Sequence, residues 1–341
     1  MRLYIVRVAA IALLTLCSCN PAGTQGKPRL DAVELLKKAA ELSDLRLPGI
    51  APYAMEARVR VQGSGPKPVE GKYRLLWSSE KQWREEIIFP GYRRLRVGGE
   101  SKYLQQRTTN YEPMPISDLT RTLDFVSFLQ VLPEESPGKL RQRKQDGTLM
   151  DCVEIRYKGS VARELCFDAA TGALVRELYP SNQPGSLGLI SVREYSEFKP
   201  WAGKLVPHKV RAMRGSSPAI ECWIESLTPL AAQDPALFTP PADATVWEWC
   251  PRPLRATLVD RVQPHYPERA KTKREQGTVT LYAVIEKDGS LSNVTVVRSA
   301  GSDLDHAALE AVIHWRYRPT TCDGAAVRVE TAIDVSFWMQ S

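Results

Sequence analysis

The sequence has few of the features that usually betray an enzyme, a metal centre or a nucleic-acid reader. It has no Gly-x-Ser-x-Gly elbow and no His-Glu-x-x-His, so the common local signatures of serine hydrolases and zinc proteases are missing. The stretch Gly65 to Lys72 has the wrong spacing for a phosphate loop, and Tyr73 stands where a Ser or Thr is needed. There are four histidines, His208, His265, His306 and His314. The last two are eight residues apart rather than four, too far along a helix to grip one metal ion together. No Cys-x-x-Cys occurs, which argues against zinc and thioredoxin-like sites. Glu85 and Glu86 are neighbours on an expected strand, so they point to opposite faces and cannot work as paired acid and base; a solvated pair is the simpler reading. The reading is a non-catalytic protein with no cofactor and no metal.

Charge gives the same answer for nucleic acid. The net charge is +7 over 341 residues, distributed as about +2 in residues 1–19, +4 in 20–251 and +1 in 252–341. Both signs are interspersed without a dense Lys/Arg block. A hydrophobic content of 43% with 25% charged residues is ordinary for folded domains, and the length suits two of them.

What is present begins at the N-terminus. Arg2 and Arg7 precede an apolar stretch from Val8 to Leu16, about nine residues where a bilayer span needs about 20. Leu16-Cys17-Ser18-Cys19 follows, which resembles a bacterial lipobox. Cys19, preceded by small Ser18, is the candidate lipidation site. Asn20 rather than Asp after it favours the outer membrane over inner-membrane retention. Residues 1–19 therefore read as a lipoprotein signal and 20–30 as a polar tether, giving an exported, periplasmic, membrane-anchored protein.

The remaining cysteines suit an oxidising compartment. Cys152 and Cys166 lie equally far from Gly159 between two strand-like segments, so a simple hairpin sets them opposite each other at disulfide range. Cys222–Cys250 is a second candidate pair, which would leave Cys322 unpaired.

Residues 31–245 read as one β-rich domain. Val33, Leu36, Ala40 and Leu45 recur near helical spacing, and Asp31 can cap that helix. From Tyr53 the period becomes two, with Met55, Ala57, Val59 and Val61 alternating with Glu56, Arg58 and Arg60. Short strands separated by Gly and Pro turns follow, as in an antiparallel meander. Asp118 to Leu132 reads as a helix with Leu119, Leu123, Val126 and Leu129 on one side, and Pro133 to Gly147 as a loop. Arg58, Arg60, Arg74, Arg94 and Arg96 read as solvated outer-face residues; a lipid-headgroup site is the sharper alternative. The helix, the meander and the closing Asp234-Pro-Ala-Leu-Phe-Thr-Pro-Pro241 resemble the LolA/LolB half-barrels of lipoprotein sorting. That resemblance implies a curved sheet sheltering an apolar ligand such as lipid, with Trp77, Trp83, Ile88 and Phe89 as candidate lining. Residues 246–261, with Trp247, Trp249 and several prolines, read as a linker whose tryptophans pack a domain edge.

Residues 262–341 carry the most specific pattern. Gln263-Pro264-x-Tyr266-Pro267-x-x-Ala270 opens the segment, and Gly277-x-Val279 starts a strand. The turn Asp288-Gly289 leads to a second strand from Leu291 to Val297. A helix is expected from Leu304 to Trp315, with Ser302 as its cap and an apolar stripe of Leu304, Ala308, Val312 and Trp315. Trp315-x-Tyr317-x-Pro319 and Gly324 precede one long strand, Val327 to Phe337, in which Val327, Val329, Thr331, Ile333, Val335 and Phe337 alternate with polar or small residues. These motifs, in this order, resemble the TonB family C-terminal domain. The expected fold is α+β: an N-terminal antiparallel half-barrel-like sheet with helices, then a small β-β-α-β domain.

The TonB resemblance implies a binding partner rather than a substrate: a short peptide of an outer-membrane TonB-dependent transporter, or of another envelope protein, added as an extra strand in support of energised transport. It places the contact at Gln263, Tyr266, Val327, Val329, Thr331, Ile333 and Val335. The sequence departs from that family in having neither a Pro-rich rod nor an apolar run of spanning length ahead of the domain. A globular domain stands in their place, which favours a tethered adaptor. The other readings are a periplasmic carrier of lipid or another apolar ligand and, more weakly, a cell-wall scaffold.

Overall fold

A computed structural model describes residues 31–47, 49–62, 67–99, 102–123, 135–157, 160–179, 192–230, 234–248, 250, 254 and 256–339. Cys17, Cys19, Val126, Leu129 and Trp249 lie outside the described residues.

The first domain is one antiparallel sheet of 13 strands with two helices against its inner face. Its strands are β1 (Tyr53–Val61), β2 (Val69–Ser79), β3 (Gln82–Phe89), β4 (Tyr92–Gly98), β5 (Lys102–Arg107), β6 (Glu135–Gln145), β7 (Thr148–Tyr157), β8 (Ser160–Asp168), β9 (Leu174–Leu178), β10 (Val192–Trp201), β11 (Lys204–Arg214), β12 (Ser217–Pro229) and β13 (Thr245–Glu248). The spatial order is β13-β5-β4-β3-β2-β1-β12-β11-β10-β9-β8-β7-β6. Two meanders thus meet where β1 pairs with β12. Strand β13 comes from the segment read as a linker, and it extends the sheet by pairing with β5.

Alternation in β1 sends Tyr53, Met55, Ala57, Val59 and Val61 inward, all buried. Helix α1 (Ala32–Ser43) starts where the Asp31 carboxylate accepts the Glu34 amide at 2.8 Å. It buries Leu35, Leu36 and Ala39. Val33 is 62% exposed, because the buried stripe runs through 35, 36 and 39 rather than 33, 36 and 40. Helix α2 (Met114–Leu123) adds Ile116, Leu119 and Leu123 to the same core. It begins earlier than expected, Ile116 donating its amide to the Pro113 carbonyl at 2.8 Å.

Within the loop expected over 133–147, Glu135–Gln145 form strand β6, with a turn after it. Of this outermost strand only Leu140 packs against the core and most residues are exposed, so no apolar alternation announces it. The hairpin of β7 and β8 pairs Cys152 with Cys166, and their sulfurs are 2.09 Å apart. Cys222 is buried at the centre of β12, between Val59 and Val210, and carries a free thiol. Cys250, just past β13, is bonded to Cys322 instead, correcting the alternative pairing.

The arginine reading divides. Arg58, Arg60 and Arg74 do lie on the outer face, each within 4 Å of a glutamate: Glu70 and Glu225, Glu70 and Glu221, and Glu56 respectively. Arg94 is fully buried. It donates to Glu85 on β3, to Glu112 ahead of α2, and to Thr120 on α2 at 2.7 Å. Glu85 is therefore no solvated residue, while Glu86 pairs with Arg93 on the opposite face. Arg96 is mostly shielded and reaches Glu112 at 3.2 Å. Burial opposes the Glu112 carboxylate, but Arg94 and Arg96 outweigh it and hold its pKa below the usual range.

The four residues proposed to line an apolar cavity do not share a face. Trp77, Trp83 and Phe89 sit on the inner side, where Trp77 and Phe89 pack into the core. Ile88 points the other way and is 44% exposed.

Replacing Arg94 with Met would leave the buried Glu85 and Glu112 with Arg96 alone, at 3.9 and 3.2 Å, in place of the fully buried cation between them. Loss of one partner from such a network costs about 3–5 kcal/mol. Urea unfolding of Arg94→Met against the intact protein should show a loss in that range; a change below about 1 kcal/mol would contradict the network's role.

Candidate peptide-binding edge of the C-terminal domain

The second domain follows two short pairings that attach its lead-in segment. Strand β14 (Thr257–Asp260) pairs with β17 (Arg316–Arg318), and Leu254 bridges to Thr321. Helix α3 (Glu268–Thr272) then leads to β15 (Gly277–Ile285), β16 (Leu291–Arg298), α4 (Ser302–Val312), β18 (Thr320–Cys322), β19 (Ala325–Val327) and β20 (Val329–Phe337).

The sequence motifs of this region act as clamps. Trp315 Nε1 donates to the Val262 carbonyl at 2.8 Å and ties the lead-in segment to the end of α4. The Tyr266 hydroxyl donates to the Glu275 carbonyl, and its ring meets Phe337 edge-on at 5.5 Å. Gly289 has φ of +81°, and a Cβ there would fall 1.8 Å from the Tyr317 carbonyl oxygen, so only glycine fits. The Tyr317 amide in turn donates to the Gly289 carbonyl at 2.9 Å. Helix α4 is not capped by Ser302, which is its first residue. Gly301 holds the N-cap position, and the Asp305 carboxylate reaches back to the Ala300 amide at 3.0 Å.

Strands β16, β15 and β20 form a three-stranded sheet in that order. β20 pairs with β15 from Val329 opposite Ile285 to Phe337 opposite Gly277. Among the described residues it has no second ladder partner, so it is an edge strand. Every other residue along such an edge directs its N–H and C=O away from the sheet. The long strand expected from Val327 is broken at Arg328, so Val327 belongs to β19 and is buried. Ile333, Val335 and Phe337 face the core beneath α4, while Ala332, Asp334 and Ser336 are exposed. Of the residues expected at the contact, Val329, Thr331, Ile333 and Val335 therefore share β20. Tyr266 reaches the far end of that strand through Phe337, and Gln263 is exposed on the lead-in segment.

The sheet face opposite α4 is not free. Tyr282 and Val284 of β15 are buried against Trp247 of β13, with Tyr103, Tyr111 and Val297 around them. The Arg328 guanidinium lies 4.9 Å from the centre of the Trp247 ring, an attractive cation–π contact. Arg107 of β5 donates to Glu330 and, at 2.9 Å, to the Tyr282 hydroxyl, which itself donates to Glu330 at 2.6 Å. Burial raises the Tyr282 pKa, and the Glu330 carboxylate raises it further, so the hydroxyl keeps its proton and remains the donor. Lys287 pairs with Glu248 at 2.6 Å, and Asn110 donates to Asn293 at 3.1 Å. The Cys250–Cys322 bond fastens the same seam. The linker tryptophan expected at a domain edge thus lies between two domains. Sequence reasoning missed Arg107, Tyr282 and Glu330, whose positions 107, 282 and 330 give no local signal of proximity.

A family described as Gram-negative bacterial TonB protein C-terminal matches residues 262–339. Protein TonB of Vibrio cholerae serotype O1 is 31% identical over 86 residues, 25% of this chain and 35% of the relative. Protein TonB of Pasteurella multocida is 37% identical over 86 residues, 24% of this chain and 33% of the relative. The chain thus spans about a third of the length of these curated relatives. A solved LolA superfamily protein from Nitrosomonas europaea aligns with 62% of this chain and 99% of its own, at 13% identity and a TM-score of 0.41.

The shared hydroxyl makes Arg107 and Glu330 energetically coupled across the seam. In urea unfolding, Arg107→Ala and Glu330→Gln combined should cost less than the two separately, by about 1–3 kcal/mol. Strict additivity would mean the contact carries no energy.

Proposed function

We propose that this chain, whose residues 262–339 carry a TonB C-terminal domain, is a non-catalytic binding protein of the bacterial envelope. It takes an extended segment of an outer-membrane transporter, or of another envelope protein, as a fourth strand beside β20. The observation that carries this reading is the sheet order β16-β15-β20, which leaves β20 with a single neighbour among the described residues.

A guest strand would gain main-chain hydrogen bonds, each worth about 0.5–1.5 kcal/mol net. Because Ile333 and Val335 are committed to the core, they stiffen the strand rather than grip the guest. Backbone groups supply most of the affinity, and the half-buried Thr331 with the exposed Ala332, Asp334 and Ser336 supplies what selectivity β20 itself has. Tyr266 acts from beneath by holding the lead-in segment against Phe337. Gln263 remains a candidate contact from the exposed lead-in chain. In this reading the lipid on Cys19 tethers the protein to a periplasmic membrane surface, the outer membrane by preference, and it serves as an adaptor in energised transport.

A photoreactive benzoylphenylalanine in place of Ala332 tests the reading in cells. Irradiation should yield adducts mapping to an extended segment of an outer-membrane protein. The same group in place of Glu310, exposed on α4, should not yield them. Equal adducts from both positions, or none from Ala332, would refute strand addition.

A further inference from the structure

The outer edge of β20 does not simply face solvent at its start. A groove of about 210 Å³ lies there, lined by Val327, Arg328, Val329 and Glu330 on one side. Tyr103, Trp247, Glu248 and Cys250 of the first domain line the other. No residue of β15 takes part. β15 occupies one side of β20; the groove adjoins β20 at its first two residues, Val329 and Glu330, with no β15 lining, where a strand paired to the other side of β20 would run off its end. Its far wall is β13, itself the outermost strand of the large sheet.

Two polar atoms in that wall are unsatisfied. Trp247 is 5% exposed, and its indole Nε1 has no acceptor among the described residues. Glu248 Oε2 is shielded from solvent and has no donor among the described residues, although Oε1 of the same carboxylate holds Lys287. A buried donor without an acceptor costs about 1–3 kcal/mol, so such a group is recovered when a ligand supplies the missing partner. The formal charges around the groove are already matched: Glu248 with Lys287, Glu330 with Arg107, and Arg328 with Glu286. A charged side chain entering it would find no free counter-ion, whereas an amide offers a carbonyl to the indole N–H and an N–H to the carboxylate.

We propose that the peptide added to β20 continues into this groove and is read there by the first domain, with Trp247 Nε1 donating to a carbonyl of an uncharged stretch of the peptide. The proposal rests on the strand-addition reading above and adds a second wall to it. The site is then a two-domain site, and the Cys250–Cys322 bond holds its walls at a fixed separation before the peptide arrives.

The test uses the full chain and a fluorescent decapeptide selected on it from a random library, with affinity read by anisotropy. Trp247→Phe keeps the ring and removes the N–H; it should weaken binding about five- to tenfold. Glu248→Gln, which perturbs the fold less, should also weaken binding at least threefold. Thr331→Pro and Ala332→Pro are made as a pair, since one of two successive residues on an edge strand directs its N–H outward. If a proline variant abolishes binding while Trp247→Phe and Glu248→Gln both stay within twofold of the intact protein, the groove has no part and strand addition stands. If neither proline variant changes the affinity, or if selection yields no binder, strand addition falls and the groove proposal with it.

Discussion

A β-sheet can hide its two faces by packing, but its edges stay open unless another strand arrives, and the second domain is organised around that constraint. Its three strands bury one face under α4 and the other, in part, against Trp247 of the first domain. β15 is consequently buried along most of its length. β20 is left with a fully packed interior side and an outer row of main-chain groups with no ladder partner among the described residues. Packing of Ile333, Val335 and Phe337 under α4 and the full ladder to β15 hold that row in place, and a pre-ordered row lowers the entropic cost of adding a strand to it. The domain seam and the open edge are thus two consequences of one arrangement.

The same seam explains why a large β-rich domain precedes so small a partner. A three-stranded sheet with one covering helix has little apolar surface to bury. Trp247, Tyr103 and Tyr111 extend its core across the domain boundary, and Arg107 satisfies Glu330 where the sheet face turns polar. Within the first domain, Arg94 does comparable work, joining two strands to the approach of α2 through Glu85, Glu112 and Thr120. Both networks place an arginine between a carboxylate and a hydroxyl. Such an arrangement tolerates few alternative registers, because a shift by one residue would strand a buried charge.

Local patterns in the sequence were enough wherever the physics is local. Asp31 announces a cap three residues from the amide it accepts, β1 announces its inner face by strict alternation, and Cys152 and Cys166 announce their pairing by symmetry about one turn. The turn at Asp288-Gly289 and the edge strand ending at Phe337 are legible for the same reason. Most of the failures involve partners distant in sequence. Arg94 reads as one more polar residue on a strand, because its burial depends on Glu112 and Thr120 arriving from α2 and the chain before it. Cys250 and Cys322 are 72 residues apart, and only the docked domains bring them together. β6 lacks alternation because only Leu140 of it packs against the core. The break at Arg328 is invisible because Val327 and Val329 keep the period of two, while Arg328 itself is drawn aside to the Trp247 ring and Glu286.

Hydrogen exchange along β20 in the intact, unliganded chain addresses the central claim most directly, because it reads each amide of the strand separately. Amides directed at β15 should be strongly protected, and the alternate amides between them should exchange orders of magnitude faster. Uniform strong protection from Val329 to Phe337 would show that the outer row is already paired within the molecule, and would contradict the account.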